Sequence, residues 1–383
     1  MTTNSKKIVL IGPMPPYRGG IARFTASLAE ELLDMGHDVK VISYRKQYPK
    51  LLYPGKTEKD YSQNISAVRT EFLFSPLNLK DWNETFKQIN FFQPDLVIYQ
   101  WWTTFWAPAT SWLIRKLNKA GIKTKILVHN AFPHEATWVD KKLTVWAIRD
   151  ASSFVTMTEA QANRLRSVVS SQAEILIAPH PVYRQFPNSG LSKVEVRKKL
   201  GLPLEVPIAL FFGFVRPYKG LRILMDAMGI LKSEGSRIHL VVAGEFWDDQ
   251  GIYENQIAEL GIKDMVTIRD CYIPDSEAGL FFEAADLFVA PYIGGTQSGS
   301  IKQAMGYGLP LVVTDVVADP VIRENESGTI IVTAGDRQSL AHGINDLINN
   351  IHSSFQETKS FNSSWSQLIN ALLSYPSSLD NKV

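Results

Sequence analysis

The sequence predicts an α/β protein with two domains, each built on a doubly wound parallel sheet of Rossmann type. The chain has 383 residues, more than the ~100–200 residues of an ordinary single domain. Short apolar segments rich in β-branched residues alternate with helical patterns, in two series separated by a polar stretch. We therefore expect a first domain at 1–183, a linker at 184–206, a second domain at 207–355 and a tail at 356–383.

The first series opens with a strand at 6–13, a loop containing Gly19 and Gly20, and an amphipathic helix at 21–35 that ends at Gly36. Further strands are expected at 39–44, 95–100, 123–129 and 153–158. Helical patterns lie between several of these strands, which favours a mostly parallel sheet.

The second series has the same organisation. Its strands are expected at 207–213, 239–244, 265–268, 287–290, 311–314 and 329–332, and its helices at 220–234, 251–260, 276–285, 300–307 and 337–350. In such sheets ligands bind beyond the carboxyl ends of the strands, so two facing domains would place a cleft there. The loops that follow strands are therefore the expected sites of chemistry.

The tail contains a predicted amphipathic helix in which Trp365, Leu368, Ile369 and Leu372 share one face. Such a face needs a partner, because apolar side chains are stabilised by burial. The helix is expected either to close the second domain or to reach back to the first.

Composition favours a cytoplasmic globular protein. No apolar run reaches the ~18 residues of a membrane span, and the first residues lack the features of a secretory signal. Cys271, the single cysteine, can form neither an internal disulfide nor a cysteine cluster, and it is expected to be a buried small hydrophobe.

Charge is distributed unevenly along the chain. Residues 1–180 contain 23 Lys and Arg against 15 Asp and Glu, whereas 181–383 contain 17 against 23. A basic first half fits an anionic membrane surface or a phosphate-bearing acceptor better than a nucleic acid. Ordinary solvated surface is the alternative.

Two turns in the second series are suited to anions. The strand ending at Gly213 is followed by a turn that bears Arg216 and Lys219, and a helix opens at Gly220. Cations beside a helix N-terminus favour an anion through their own charge and through the free amides of the helix, which suits a diphosphate.

The second such turn lies at 291–300, after the strand at 287–290 and before the helix at 300–307. Its small residues would let backbone amides approach a phosphate, and Thr296, Ser298 and Ser300 add hydroxyl donors. Two anion-binding turns in one domain favour a ligand site over a merely flexible loop.

These turns, the segment 303–310 and the strand that follows it resemble the donor-binding domain of the retaining family-four glycosyltransferases, which have the GT-B fold. The loop at Gly19 and Gly20, the strand ending at His129, and Pro320 with Glu324 and Gly328 follow the same order, so the resemblance covers nearly the whole chain. It implies transfer of a sugar from a nucleoside-diphosphate sugar to an acceptor hydroxyl, with retention and without a bound metal or other cofactor. It also implies that the tail helix crosses back to the first domain.

The resemblance assigns roles to individual positions. Arg216 and Lys219 would hold the diphosphate, Gly20 would let its loop close over that group, and His129 would contact the donor sugar near the reacting carbon. The positions expected to bind the donor are Gly19, Gly20, Gly213, Arg216, Lys219, Thr296, Gln297, Ser298, Gly299, Ser300 and Gln303. The family's two glutamates, eight positions apart, correspond here to Gly295 and Gln303, so the amide of Gln303 would take over the contact with the ribose.

The acceptor is expected to bind the first domain. Trp101, Trp102 and Trp106 lie in or beside the loop after a predicted strand, and a basic run follows at 115–119. Such rings stack on sugars or sit at membrane interfaces, but they also fill cores, and both roles stay open. His134 and Glu135 are expected to order their loop, with acceptor binding or general-base help as the alternative.

Two other classes of function remain open. One is a nucleotide-sugar epimerase or phosphorylase on the same scaffold, because fold alone does not specify function. The other is a noncatalytic partner subunit, suggested by Gly295 in place of a glutamate. The spacing of His129, His134 and Glu135 matches no recognised metal-ligand pattern. No metal is expected.

Overall fold

The chain forms two compact units, Met1–Pro181 with Ser363–Val383 and Val182–Asn362. The computed structural model describes residues 5–47, 58–61, 68–132, 137–183, 186, 188–295, 297–325, 328–354 and 364–374.

The first unit is built on a seven-stranded parallel sheet with the order β3-β2-β1-β4-β5-β6-β7. Its strands are β1 (Lys7–Ile11), β2 (Asp38–Tyr44), β3 (Thr70–Phe74), β4 (Leu96–Trp101), β5 (Thr124–Val128), β6 (Ser153–Thr156) and β7 (Glu174–Ile177). Its helices between strands are α1 (Gly20–Asp34), α2 (Leu79–Phe92), α3 (Ala107–Lys119), α4 (Trp138–Ile148) and α5 (Glu159–Arg166).

The strands that sequence reasoning missed are the two edges of this sheet. β3 has a mostly half-buried pattern, and so does β7, whereas the central strands β1 and β4 are almost wholly buried. An edge strand has a neighbour on one side only, and its mixed polarity weakens the apolar run by which a buried parallel strand is recognised.

The second unit is built on a six-stranded parallel sheet with the order β10-β9-β8-β11-β12-β13. Its strands are β8 (Ile208–Phe212), β9 (His239–Ala243), β10 (Val266–Arg269), β11 (Leu287–Ala290), β12 (Leu311–Thr314) and β13 (Thr329–Val332). Its helices are α6 (Lys193–Leu200), α7 (Leu221–Ser233), α8 (Gln250–Glu259), α9 (Asp275–Ala284), α10 (Gly299–Gly306), α11 (Pro320–Arg323) and α12 (Arg337–Ser354). Each of the six strands predicted here is present.

The predicted linker at 184–206 contains α6, which is part of the second unit. Ser192 and Glu195 form a capping box that starts this helix. Val196 is fully buried in the core of the unit, and the Arg197 guanidinium donates to the carbonyl of Ala284 at 2.9 Å. The polarity of the segment therefore reflects the exposed face of a packed helix rather than a free connection.

The tail forms α13 (Ser364–Leu373), which packs on the first unit as the resemblance implied. Leu368, Ile369 and Leu372 are fully buried. Two lysines hold the C-terminal end of α13. Lys6 Nζ donates to the carbonyl of Leu373 at 3.1 Å. Lys125 Nζ donates to the carbonyls of Ala371 at 2.9 Å and Ser374 at 2.5 Å. These bonds satisfy carbonyls that the end of a helix leaves without partners.

Among the described helices, none is both long and apolar enough to cross a bilayer.

Replacing Lys125 by Met should loosen α13. Lys125 is 1% exposed, so its loss leaves the part-buried carbonyls at the end of α13 without this donor and should lower the free energy of unfolding by about 2 kcal/mol. Faster amide hydrogen exchange in α13 would report the local loosening. The exposed Lys80→Met serves as the control, and equal exchange in both variants would contradict this role for Lys125.

Candidate functional site

The order of the second sheet reverses between β8 and β11. β8 pairs with β9 on one side and with β11 on the other. After β8 the chain continues towards one edge of the sheet, and after β11 it continues towards the other edge. A crevice at such a switch point is the usual ligand site of an open parallel sheet. The two anion-binding turns predicted from the sequence, at 213–220 and 291–300, leave these two strands.

The helices that begin after these two strands have N-termini open to an anion. Neither α7 nor α10 has an acidic residue in its first turn or a side-chain cap. The other helices that follow strands of this sheet are served by acidic residues. Asp249, Asp319 and Asp336 cap α8, α11 and α12, and Asp275 and Glu277 lie in the first turn of α9. The amides and dipoles of α7 and α10 therefore remain available to a bound anion.

Gly220 joins the two turns. Its φ of 71° is left-handed, and a Cβ at this position would lie 1.9 Å from the carbonyl oxygen of Pro291. Beside this contact the amide of Ile293 donates to the carbonyl of Tyr218 at 2.8 Å. Only glycine combines this conformation with so close an approach, so Gly220 sets the spacing of the two turns.

Arg216 and Lys219 lie on this junction. The Arg216 guanidinium carbon is 5.6 Å from the ring centroid of Tyr218 and 5.5 Å from that of Trp247, which orients it by cation–π contacts. Within the described part of the chain, neither Arg216 nor Lys219 forms an ion pair. Burial, together with the charge of Arg216, lowers the pKa of Lys219. An anion bound beside both cations would offset this effect.

Tyr292 connects Lys219 with the N-terminus of α10, a role that sequence reasoning missed. Lys219 Nζ lies 5.6 Å from the centroid of its ring, and its hydroxyl lies 3.1 Å from Ser298 Oγ and 3.3 Å from Ser300 Oγ. The ring is buried, which raises the pKa of the phenol and keeps it a hydrogen-bonding group. The available signal was its position two residues after a strand at the switch point.

The remaining donor-site positions of this unit lie around the same turns. Gly213 has a φ of 104°, and a Cβ there would be 3.1 Å from Lys219 Nζ, so the glycine leaves room for that cation. Gly299 begins α10 opposite the Tyr183 hydroxyl, 2.8 Å from where its Cβ would lie. Gln297 lies in the loop, Gln303 is buried within α10, and Thr296 lies outside the described residues.

Beside Gln303, a buried ion pair fixes α10 to α11. Lys302 Nζ lies 2.7 Å from Asp319 Oδ1, and both side chains are almost fully buried. The same carboxylate oxygen accepts from the amide of Ile322. Because a buried charge is costly without its partner, this pair holds α10 in place against the start of α11.

In the first unit, Gly19 and Gly20 begin α1 after the carboxyl end of β1. Gly19 has a φ of 109°, and a Cβ on either residue would have open space around it. The loop is therefore unobstructed within its own unit.

His129 follows β5 and is buried. Gln100 Nε2 donates to Thr25 Oγ1 at 2.8 Å, so Gln100 Oε1 accepts from His129 Nε2–H at 2.8 Å, and this sets the tautomer of the ring. Burial and the nearby His180 lower the pKa of His129 from its ordinary 6.5 to about 3. His129 is thus neutral at physiological pH. Because the unfolded chain protonates near 6.5, this group removes stability as the pH falls from 6.5 towards 3.

Two of the four expected acceptor residues, Trp101 and Trp106, are core residues, which is a correction. Trp101 and Trp106 are each 1% exposed, and Trp106 stacks on Tyr44 with 4.1 Å between ring centroids. Neither offers a ring face to a saccharide. Trp102 is only partly buried, with its centroid 5.6 Å from that of Tyr44. His134 and Glu135 lie outside the described residues.

Cys271 is exposed rather than buried, because it lies in the loop after β10. Within the described ranges, no three His, Cys, Asp or Glu side chains form a group that could hold a metal ion.

Replacing Gly220 by Ala should separate the two turns. The added methyl group would meet the Pro291 carbonyl, so we expect a loss of stability well above the ~1–2 kcal/mol cost of a left-handed alanine. Gly235→Ala is a matched control, because Gly235 has a φ of 77° but open space around it. Equal losses of unfolding free energy in denaturant titrations would contradict the importance of this contact.

Replacing Gln100 by Glu should raise the pKa of His129 by about 1–3 units, because a carboxylate facing the ring favours the imidazolium. An NMR titration of the imidazole signals measures this shift. His239, in the other unit and bonded to Thr267, is the internal reference. A His129 titration unchanged from that of the wild type would contradict the assigned hydrogen bond.

Comparison with solved structures shows the fold. Sucrose-phosphate synthase from Thermosynechococcus elongatus is similar with a TM-score of 0.67 and 17% identity, over 96% of this chain and 93% of that one. Anabaena HepE in complex with UDP-glucose is similar with a TM-score of 0.66 and 17% identity, over 95% and 94% of the two chains. The two-domain GT-B fold expected from the sequence is confirmed.

Comparison with curated proteins and families shows the relationship. The D-inositol 3-phosphate glycosyltransferase of Streptomyces bingchenggensis is 25% identical over 258 residues, which are 62% of this chain and 55% of that protein. The chain thus spans about half the length of this relative. The profile described as Glycosyltransferase Family 4 matches residues 18–185, and that described as Glycosyl transferases group 1 matches 206–350. Since these matches cover most of both units, the chain belongs to family 4 of the glycosyltransferases, the group 1 type.

Proposed function

We propose that this protein transfers a sugar from a nucleoside-diphosphate sugar to a saccharide or lipid-linked acceptor, with retention at the anomeric carbon. The observation that carries this proposal is the switch-point site of the second unit. There, two uncapped helix N-termini accompany two cations, Arg216 and Lys219, that lack ion pairs within the described residues. Such a site is suited to a diphosphate. The family membership and a similar structure that holds UDP-glucose support the same donor class.

The protein's contribution to the reaction is electrostatic. As the bond between the anomeric carbon and the phosphate oxygen breaks, negative charge grows on the nucleoside diphosphate. Arg216, Lys219 and the first amides of α10 are fixed in place before this happens, so they stabilise the departing group without reorganising. The Tyr292 hydroxyl orients the two serines at that helix end.

Retention follows if the acceptor oxygen forms its bond to the anomeric carbon on the face that the phosphate leaves. The hydroxyl proton then passes to the departing phosphate oxygen, so charge and atoms balance. The proposal needs no protein nucleophile and no metal. In this proposal the enzyme binds the acceptor and the donor side by side, so that they react as one bound pair.

His129 and Gln303 complete the proposed donor contacts. A neutral His129 can face the positive charge that develops on the sugar without repelling it, since its pKa is lowered to about 3. Gln303 would serve the ribose hydroxyls through its amide, in place of the family's glutamate. We propose that the transferred sugar is a hexose.

We further propose that the enzyme works in cell-surface polysaccharide assembly, in the cytoplasm at the inner face of the cell membrane. The basic first half of the chain supports contact with an anionic membrane. Trp102, the partly buried ring of the aromatic loop, is the remaining candidate there for contact with the acceptor.

Replacing Arg216 or Lys219 by Ala should lower turnover by about 100-fold or more, because each removes charge that stabilises the transition state. Neither residue has an ion pair with described residues, so the melting temperature should change little. Donor turnover by the purified chain, as transfer or hydrolysis, measures the effect. Arg237→Ala, at an exposed arginine in the loop before β9, is the control and should keep full turnover.

The donor must first be identified by the thermal stabilisation that nucleotide sugars give the purified chain. With that donor, turnover should persist in EDTA, since no metal takes part in the proposed step. Full turnover in both variants would overturn the assigned site. Absence of turnover by the purified wild-type chain would instead favour the noncatalytic partner, and an epimerised donor without acceptor would favour the epimerase.

A further inference from the structure

A surface groove of about 350 Å³ runs along α3 in the first unit, away from the loops discussed above. Three tryptophans from three helices line it: Trp82 of α2, Trp112 of α3 and Trp146 of α4. The rings of Trp82 and Trp112 lie 5.8 Å apart. We call this the α3 groove. Trp82 is 8% exposed and belongs to the core, Trp112 packs against that core, and Trp146 is 37% exposed, so the aromatic lining reaches from the core to the surface. Such an accessible aromatic lining is typical of a binding surface.

The groove also presents positive charge and unsatisfied donors. Arg115, Lys116 and Lys119 line it. Arg115 Nε donates to Asp150 Oδ2 at 2.7 Å, whereas within the described residues neither lysine forms an ion pair. Ser111 is 1% exposed and lines the groove, yet its Oγ has no hydrogen-bond partner among the described residues, and neither has Nη2 of Arg115. Buried polar atoms are normally satisfied, so these donors suit the anionic oxygens of a ligand.

The neighbouring helix α4 extends this surface with exposed apolar side chains. Trp138 is 69% exposed and Val139 is 42% exposed, and Lys142 Nζ lies 4.8 Å over the Trp138 ring. Apolar residues thus occupy the exposed face of α4 as well as its buried face. α3 and α4 together carry five Lys or Arg residues and one acid, Asp140, which is held by Thr137 and Thr104.

The combination favours a lipid surface over a soluble anion. An acidic saccharide would satisfy the lysines and stack on tryptophan, but it would gain nothing from the exposed valine and indole of α4. At the surface of an anionic bilayer, lysines lie near lipid phosphates and indoles lie at the level of the headgroups.

We propose that the α3–α4 face docks on an anionic bilayer. Arg115, Lys116 and Lys119 hold a lipid headgroup phosphate in the α3 groove, and Trp138 enters the interface beside it. This inference rests on the membrane location included in the proposed function, and it is independent of the transfer reaction.

Co-sedimentation of the full chain with vesicles tests the proposal. The wild type should bind vesicles that contain phosphatidylglycerol and should not bind pure phosphatidylcholine. Lys116→Glu with Lys119→Glu should weaken binding at least ~10-fold, because each charge near the membrane contributes strongly to attraction. Trp138→Ser should weaken it by a smaller factor. The control is Lys198→Glu with Lys199→Glu, the same charge change on exposed residues of α6 in the other unit.

Each outcome decides the proposal. Equal weakening by the α3 and α6 pairs would mean attraction by net charge alone and would overturn the docking face. Wild-type binding to an acidic polysaccharide but to neither vesicle would replace the lipid by a saccharide. If the wild type binds neither the vesicles nor the polysaccharide, both the docking face and the membrane location are overturned. Donor-induced thermal stabilisation, measured on the same samples without vesicles, shows separately whether the proposed donor site holds. Unchanged melting temperatures of the variants exclude misfolding as the cause of weaker binding.

Discussion

The contact of Gly220 with the carbonyl of Pro291 is the constraint on which the candidate site depends. It brings the turns after β8 and β11 to a separation that no side chain at this position would allow. In the second unit, the groups that can meet a diphosphate are attached to those turns: the two cations and the start of α7 on one, and the tyrosine, the serines and the start of α10 on the other. Loop amides and two long side chains do not by themselves hold a fixed geometry, which is the precision that a binding site needs. Its precision comes from the rigid strands beneath it.

Three buried or half-buried lysines show how the protein distinguishes structural from functional charge. Lys302 has the carboxylate of Asp319, and Lys125 has the carbonyls that end α13. Both cations are compensated within the fold, where they hold helices in place. Lys219 is partly removed from water, but it forms no ion pair within the described residues, and an aromatic ring and another cation lie near it. A desolvated cation without an internal partner stores unfavourable energy that a bound anion can relieve.

The sequence was most informative where burial is complete. The central strands of the second unit, β8, β9, β11 and β12, are buried along their whole length, and the two anion-binding turns followed from their positions after strands. The edge strands β10 and β13 are only half-buried, but they consist mainly of β-branched residues and were recognised. The edge strands β3 and β7 are half-buried as well and have fewer β-branched residues, so they were missed. Trp101 and Trp106 could not be separated from Trp102 by type or spacing, since burial depends on residues distant in the chain, such as Tyr44 and Phe74 beside Trp106. The linking role of Tyr292 required the distance between two loops that are 70 residues apart in the chain, and no local pattern contains that distance.

The return of α13 to the first unit has a consequence for biosynthesis. The apolar residues of that helix leave the ribosome only after the whole second unit, whereas the residues of the first unit that hold its end, Lys6 and Lys125, are made before the second unit. At ~5–20 residues per second, the second unit takes on the order of 10–40 s to be synthesised. For that time the nascent first unit carries an uncovered apolar strip that α13 later buries. Because most strands of the second unit pair with their neighbours in sequence, this unit can fold rapidly, which would shorten the exposure that remains once α13 has emerged.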